Sequence, residues 1–333
     1  MTQVAFKQDC TSNDPILYMA FDLSHKSWKI AFSDGTRKRF CTVAGKDLEA
    51  LSAAIEKIRQ RFRLAEEVRI VSCFEAGRDG FWLDRYLRSI GIDNIVVDSS
   101  SIEVSRRKRS AKTDRIDAGK LLLMLIRYIG GERKHWGIVR VPGEADEDLR
   151  RVQREVDRLV KERGQHTARM RSLLNLHSFV VDKVGGPGWS KLVTGLRDWN
   201  GAPLGPNLVA ELLRENVRLS LVREQLLELE REKRRLLEEE LEKYPSLKQV
   251  QQLLLLKSIG KASSWVFVME FFGWRQFKNR KQVASLAGLT PTPFSSGDDS
   301  REQGISKAGN CRIRSMMIEI AWLWLRYQPE SEL

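Results

Sequence analysis

The sequence predicts a mixed α/β domain followed by a long, mostly helical remainder. Three observations carry this. Through about residue 133, short apolar runs bounded by turn residues alternate with stretches of helical period. From about residue 146, apolar residues recur on alternating three- and four-residue steps. A Gly/Pro-rich segment, "GGPGWSKLVTGLRDWNGAPLGPN" (185–207), breaks that second pattern in the middle.

Residues 1–14 are polar and are expected to form a flexible tail. "ILYMAFD" (16–22) reads as a buried strand ending in Asp22. A second and a third strand follow across the Asp34-Gly35 turn, a strong hairpin signal. Helical spacing covers 46–62, and "VRIVSCFEAG" (68–77) is another buried strand, carrying Glu75 near its end. "FWLDRYLRSIG" forms a helix closed by Gly91, and 94–100 a short strand. Residues 114–131 form a helix stopped by two glycines. The resulting domain spans 15–133.

Leu149, Val152, Val156, Leu159, Met170 and Leu173, then Leu219, Val222, Leu226, Leu229 and Leu236, mark two long helices within 134–245. They read as a coiled coil that self-associates as a dimer or tetramer, with 185–207 as its tip; an ordinary amphipathic pair packed on its own domain fits almost as well. Arg163 and His166 interrupt the seam. The third region is 246–333. There "LLLLKSIGKASSWVFVMEF" (253–271) has the form of a helix-hairpin-helix, whose turn would offer the amides of Gly260 and Lys261 to a phosphate.

Net charge is +13 over 333 residues, which favours a polyanionic partner, nucleic acid ahead of an acidic membrane. Cys10, Cys41, Cys73 and Cys311 include no CxxC pair, so a disulfide framework and a zinc site are not expected, and a reducing cytoplasm fits. No apolar run reaches the length of a membrane span.

"AKTDRIDAGK" (111–120) places Asp114 and Asp117 three residues apart at a helix start, behind Arg106, Arg107, Lys108, Arg109 and Lys112. Acids favour a helix N-terminus for its field alone. Carboxylates at i and i+3 also share one helix face and can share a hard divalent cation. If the strands ending in Asp22 and Glu75 are adjacent, four acids meet at one sheet edge. Such a cluster suits two Mg²⁺ ions, with Mn²⁺ as a substitute, and the basic run suits a phosphate backbone. The segment "GLTPTPFSSGDDSREQGISKAGN" (288–310) is polar and reads as an exposed loop between helices.

These motifs together, "FDLSHKSWKIAF", "CFEAGRDG", "KTDRIDA", "KSIGKASSWVF" and "VASLAGLTPTPFSSG…GISKAGNCRIR", resemble the DEDD transposases of the IS110 insertion-sequence family, over about 16–324. The resemblance implies an RNase H-like (RuvC-like) N-terminal domain, a coiled-coil middle and a C-terminal transposase domain. It implies a bacterial, nucleoid-associated recombinase acting on donor and target double-stranded DNA, guided by an element-encoded bridge RNA. It implies a nucleophilic serine in the 288–310 segment, Ser296, with Ser295 as its neighbour, and Arg301, Lys307 and Arg312 to neutralise phosphate. Family members run beyond the helix that begins near Asn310, so the resemblance also implies a shortened C-terminus. A metal-dependent, structure-selective endonuclease of the Holliday-junction type, with water as nucleophile, is the alternative.

Overall fold

The computed structural model describes residues 14–77, 80–99, 102, 114–132, 136–296 and 299–332. The expected tail lies outside them apart from Asp14, and so do Arg106, Arg107, Lys108, Arg109 and Lys112. The chain divides into two compact units, Met1–Val141 and Pro142–Leu333.

In the first unit β1 (Ile16–Leu23), β2 (Ser27–Ser33) and β3 (Lys38–Ala44) form an antiparallel meander. Helix α1 (Leu48–Phe62) leads to β4 (Arg69–Glu75), α2 (Trp82–Ser89) to β5 (Asp93–Val97), and α3 (Asp114–Ile129) follows. The sheet order is β3-β2-β1-β4-β5, with β1, β4 and β5 parallel. This mixed five-stranded sheet with its helices is RNase H-like.

The strand period of two sorts the core. Leu17, Met19, Phe21, Ile30, Phe32 and Phe74 pack with Leu51, Ile55, Ile58, Leu83 and Leu87 of α1 and α2. Ala20, Ala31, Val71, Cys73, Ile95 and Val97 pack with Ala118, Leu121, Leu122 and Leu125 of α3. Asp47 caps α1 by accepting from the Ala50 amide at 2.9 Å. Asp34 holds the β2–β3 turn through the amides of Thr36 and Arg37.

The first unit runs past the expected 133. Trp136 is buried in the α3-facing core, the Val139 amide donates to the Val96 carbonyl at 2.8 Å, and Val139 and Val141 pack on the opposite core. The segment is too short and too lightly patterned to read as an element.

In the second unit α4 (Glu144–Asn175) and α6 (Pro206–Glu239) pack along each other, and α5 (Trp189–Gly195) lies between them in sequence. The long helices pair within the chain, and a coiled coil is not shown. Leu149, Val156, Leu159, Met170 and Leu174 bury against α6, with Gln153 and Leu174 where heptad spacing suggested Val152 and Leu173. Glu215 and Lys233 also lie buried on α6. Glu215 accepts from His166 Nδ1 at 2.6 Å and from Arg218, and Lys233 donates to Gln153 at 2.7 Å. These polar layers replace apolar seam positions. Burial raises the Glu215 carboxyl, but the bonds from His166 and Arg218 outweigh it and leave the group below its usual range. The 185–207 tip holds its own core, with Trp189, Val193 and Leu204 against Met170, Leu174 and Leu212.

Beyond come α7 (Pro245–Leu254), α8 (Lys261–Phe267) continuing as one π-helical turn (Val268–Phe272), and α9 (Arg280–Ala287). The chain then forms β6 (Pro291–Ser296), β7 (Asp299–Ile305) and α10 (Cys311–Tyr327). The segment expected as a loop is thus an antiparallel hairpin. Its prolines and polar residues concealed the strand signal. Among the described residues, no helix is long and apolar enough to cross a membrane.

Candidate functional site

Phe21 of β1 pairs with Phe74 of β4, so Asp22 and Glu75, each one residue further on, stand at one level near the ends of adjacent parallel strands. Ala20 and Cys73, two residues earlier on each strand, belong to the α3-facing core. The strand period therefore assigns positions 22 and 75 to that same face. Asp22 is half-buried and hydrogen-bonded or charge-paired, while Glu75 is exposed.

Helix α3 supplies the other two acids. The Cys73 thiol lies 3.7 Å from the Leu121 carbonyl, which sets α3 against β4 two residues before Glu75. Asp117 stands one turn ahead of Leu121, half-buried, with Lys120 Nζ at 3.9 Å. Position 114 is the first residue of α3; its side chain lies outside the description. Among the described residues no three His, Cys, Asp or Glu side chains gather closely enough to hold a metal ion.

Sequence reasoning missed what surrounds these acids. Lys29 of β2 pairs with Asp22, and Thr42 of β3 pairs with Lys29. Glu75, Asp22, Lys29 and Thr42 thus form one row across the sheet, visible only once strand register is known. On the opposite face, buried Asp84 of α2 accepts from Asn94 Nδ2 at 2.7 Å and from Arg88 Nε at 3.0 Å. Asn94 in turn accepts from Ser72 at 2.7 Å. This chain ties α2 to β4 and β5 and so fixes the strand that carries Glu75.

In the second unit, Ser295 pairs with Ser300 and Ser296 with Asp299, which puts Ser296 at the last position of β6. Their side chains lie outside the description. The base of this hairpin is a clasp between two glycines. A Cβ on Gly288 would stand 2.2 Å from the Ala308 carbonyl oxygen, and one on Gly309 would stand 2.2 Å from that of Leu286. Both glycines have positive φ, 72° and 111°. The Lys307 amide donates to the Gly288 carbonyl at 3.0 Å, and the Arg314 guanidinium donates to the Lys307 carbonyl at 2.9 Å.

The expected phosphate ligands of the second unit lie in different settings. The Gly260 amide donates to Ser263 Oγ at 2.9 Å within the α7–α8 turn. Lys261 is exposed. Arg312 forms a 2.6 Å salt bridge with Asp157 of α4, which engages the charge expected to meet DNA. Arg301 lies 5.5 Å from the Phe294 ring centroid, and Lys307 is exposed.

Residues 20–179 match the profile of the IS110-type DEDD domain, described as a transposase, and residues 250–333 match that of the transposase IS116/IS110/IS902 family. The protein y4rJ of Sinorhizobium fredii, named as a transposase, is 36% identical over 95% of this chain and 82% of its own length. The protein y4qE of the same organism, also named as a transposase, is 26% identical over 85% of this chain and 65% of its own length. The transposase of insertion sequence element IS1328 from Yersinia enterocolitica is 25% identical over 55% of this chain and 52% of its own.

Proposed function

Because the chain belongs to the IS116/IS110/IS902 family of transposases, we propose that it cuts and rejoins DNA with Asp22, Glu75, Asp114 and Asp117 as its acid cluster and Ser296 as its nucleophile. A DEDD transposase catalyses DNA cleavage and strand transfer, and its family implies divalent metal ions. The observation that carries the residue assignment is the matched level of Asp22 and Glu75 near the ends of β1 and β4, on the face that α3 covers.

Carboxylate oxygens are hard donors, and the donor set fits Mg²⁺ or Mn²⁺. Asp22, Glu75, Asp114 and Asp117 would hold two ions, which would supply positive charge beside the attacked phosphate. Asp22 and Glu75 would contribute from the strand ends, and Asp114 and Asp117 from the first turn of α3. Ser296 Oγ attacks phosphorus: the Oγ–P bond forms as the hydroxyl proton passes to solvent, the P–O bond to the neighbouring nucleotide breaks, and the departing oxygen takes a proton from solvent. Attack by a hydroxyl of a second strand reverses these steps, joins the DNA and restores the serine. The clasped hairpin base supports this reading, since it presents Ser296 at the end of a strand anchored at its root.

The same proposal extends to a guide RNA and to assembly as a dimer or tetramer. Net charge of +13 supports an RNA partner beside DNA. Exposed Val217 and Leu221, one turn apart on α6, and Leu227 support a helical contact between copies.

The test is cleavage of element-end DNA by the wild-type chain and by Asp22→Asn, Asp117→Asn and Ser296→Ala. Each variant should bind DNA and fail to cleave. Full cleavage by Ser296→Ala without a protein–DNA adduct would support the water-dependent nuclease instead.

A further inference from the structure

We propose that Arg312 is a positioning residue for the serine hairpin, held in place by Asp157 and Gln153 of α4. The inference rests on the reading of Ser296 as the nucleophile. It gives Arg312 a task other than the phosphate contact expected of it.

Four side chains form one hydrogen-bonded line across three helices. Lys233 Nζ of α6 donates to Gln153 Oε1 of α4 at 2.7 Å. Gln153 Nε2 donates to Asp157 Oδ1, one turn along α4, at 2.8 Å. Arg312 Nη1 of α10 donates to Asp157 Oδ2 at 2.6 Å. An ammonium only donates and a carboxylate only accepts, so Gln153 must turn its oxygen to Lys233 and its nitrogen to Asp157. Gln153 and Lys233 are 4% and 3% exposed. Lys233 also has Glu230 Oε1 at 3.7 Å and the Trp265 ring centroid at 5.3 Å. A buried ammonium needs its acceptors, so this end of the line is held where it is.

The other end reaches the root of the hairpin. Arg312 is the second residue of α10, and its amide donates to the side chain of Asn310, the N-cap. In the same first turn, the Arg314 guanidinium donates to the carbonyls of Ala287 and Lys307. Those carbonyls adjoin the Gly288–Gly309 clasp, from which β6 and β7 extend. The bond to Asp157 therefore sets the α10 turn, and with it the clasp, against α4. Ser296 stands five residues beyond Pro291, the first residue of β6. Five residues of strand reach about 16 Å, so a tilt of about 4° at the root moves the far end about 1 Å. A shift of that size is enough to spoil an in-line attack. Arg312 and Asp157 are each 39% exposed, so replacing either leaves no buried charge behind.

The test uses the full chain, labelled element-end DNA and Mg²⁺. It reads the rate of protein–DNA adduct formation beside DNA affinity over a range of salt and the melting midpoint. Arg312→Ala and Asp157→Ala should each slow adduct formation about tenfold to a hundredfold, with affinity, salt slope and midpoint close to wild type. The double variant should be no slower than either single one, because both break the same link. Gln153→Glu keeps an acceptor for Lys233 but loses the donor to Asp157, and should slow the adduct as well. A salt slope lowered by about 0.9 in Arg312→Ala alone makes this residue a phosphate ligand and overturns the proposal. A wild-type rate in Asp157→Ala, additive losses in the double variant, or a rate that falls only with the folded fraction overturns it too. Ser296→Ala, assayed in parallel, separates the two readings. An adduct that survives it removes the serine, whereas its loss beside wild-type rates in the Arg312 and Asp157 variants removes only the positioning.

Discussion

Asp34 and Asp117 are both carboxylates near a basic neighbour, and their surroundings give them different work. Asp34 receives hydrogen bonds from the amides of Thr36 and Arg37 and from the side chains of both. Burial raises its pKa, but those bonds prevail and bring it down to about 2 from 3.8. Since the folded value lies below the unfolded one, its stabilisation is complete above about pH 4 and disappears as pH falls through about 2. Asp34→Ala should lower stability by about 1 kcal/mol at neutral pH and flatten the acid limb of a chemical-unfolding series measured against pH. Asp117 has a lysine at 3.9 Å and, among the described residues, no comparable cage. Asp117→Asn should reduce DNA cleavage about a hundredfold or more while leaving the thermal midpoint unchanged or raised, because removing charge from an acid cluster relieves repulsion. Cleavage kinetics and a melting curve on one preparation check both halves. At this scale the adjacency of the strands that carry Asp22 and Glu75 and the turn aspartate were legible from apolar runs and a dipeptide. Lys29, Asp84 and Glu215 were not, because each owes its setting to residues distant in sequence.

Elements differ in how openly they declare themselves. The β1–β3 meander and α1 to α3 follow from alternation, the Asp34-Gly35 turn and helical spacing, because each is built around a continuous apolar face. The β6–β7 hairpin is held by backbone pairing and by its glycine clasp, with few apolar residues, so its sequence resembles a loop. Gly309→Ala should therefore destabilise the second unit by about 1–3 kcal/mol, through left-handed strain and the clash with the Leu286 carbonyl. It should also abolish strand transfer although it touches no reacting group; denaturant unfolding and a transfer assay read the two effects. The opposite holds at Gly164, inside α4, where an added Cβ meets nothing within 4 Å. Gly164→Ala should stabilise the helix by about 0.5–1 kcal/mol, measured by the same unfolding assay. The two long helices were legible as elements. Their partner was not, since a heptad pattern is equally satisfied by a second copy and by the same chain folding back.

Across the whole molecule, the division at Val141 and Pro142 makes a testable claim about what folds alone. Trp136, Val139 and Val141 belong to the cores of the first unit. A fragment ending at Val141 should melt cooperatively. One ending at 133 should lose about 3–5 kcal/mol or fail to fold, because a buried tryptophan and its neighbours are gone; thermal denaturation followed by circular dichroism distinguishes them. The acids stand in the first unit and Ser296 in the second, so the proposed chemistry draws on both. The most direct measurement is a denaturing gel of labelled element-end DNA after reaction with Mg²⁺. A covalent protein–DNA band should form with the wild-type chain and with Ser295→Ala, and should be missing with Ser296→Ala and with Asp117→Asn. Efficient cleavage with no such band in any variant, or a band that survives Ser296→Ala, would contradict Ser296 as the nucleophile.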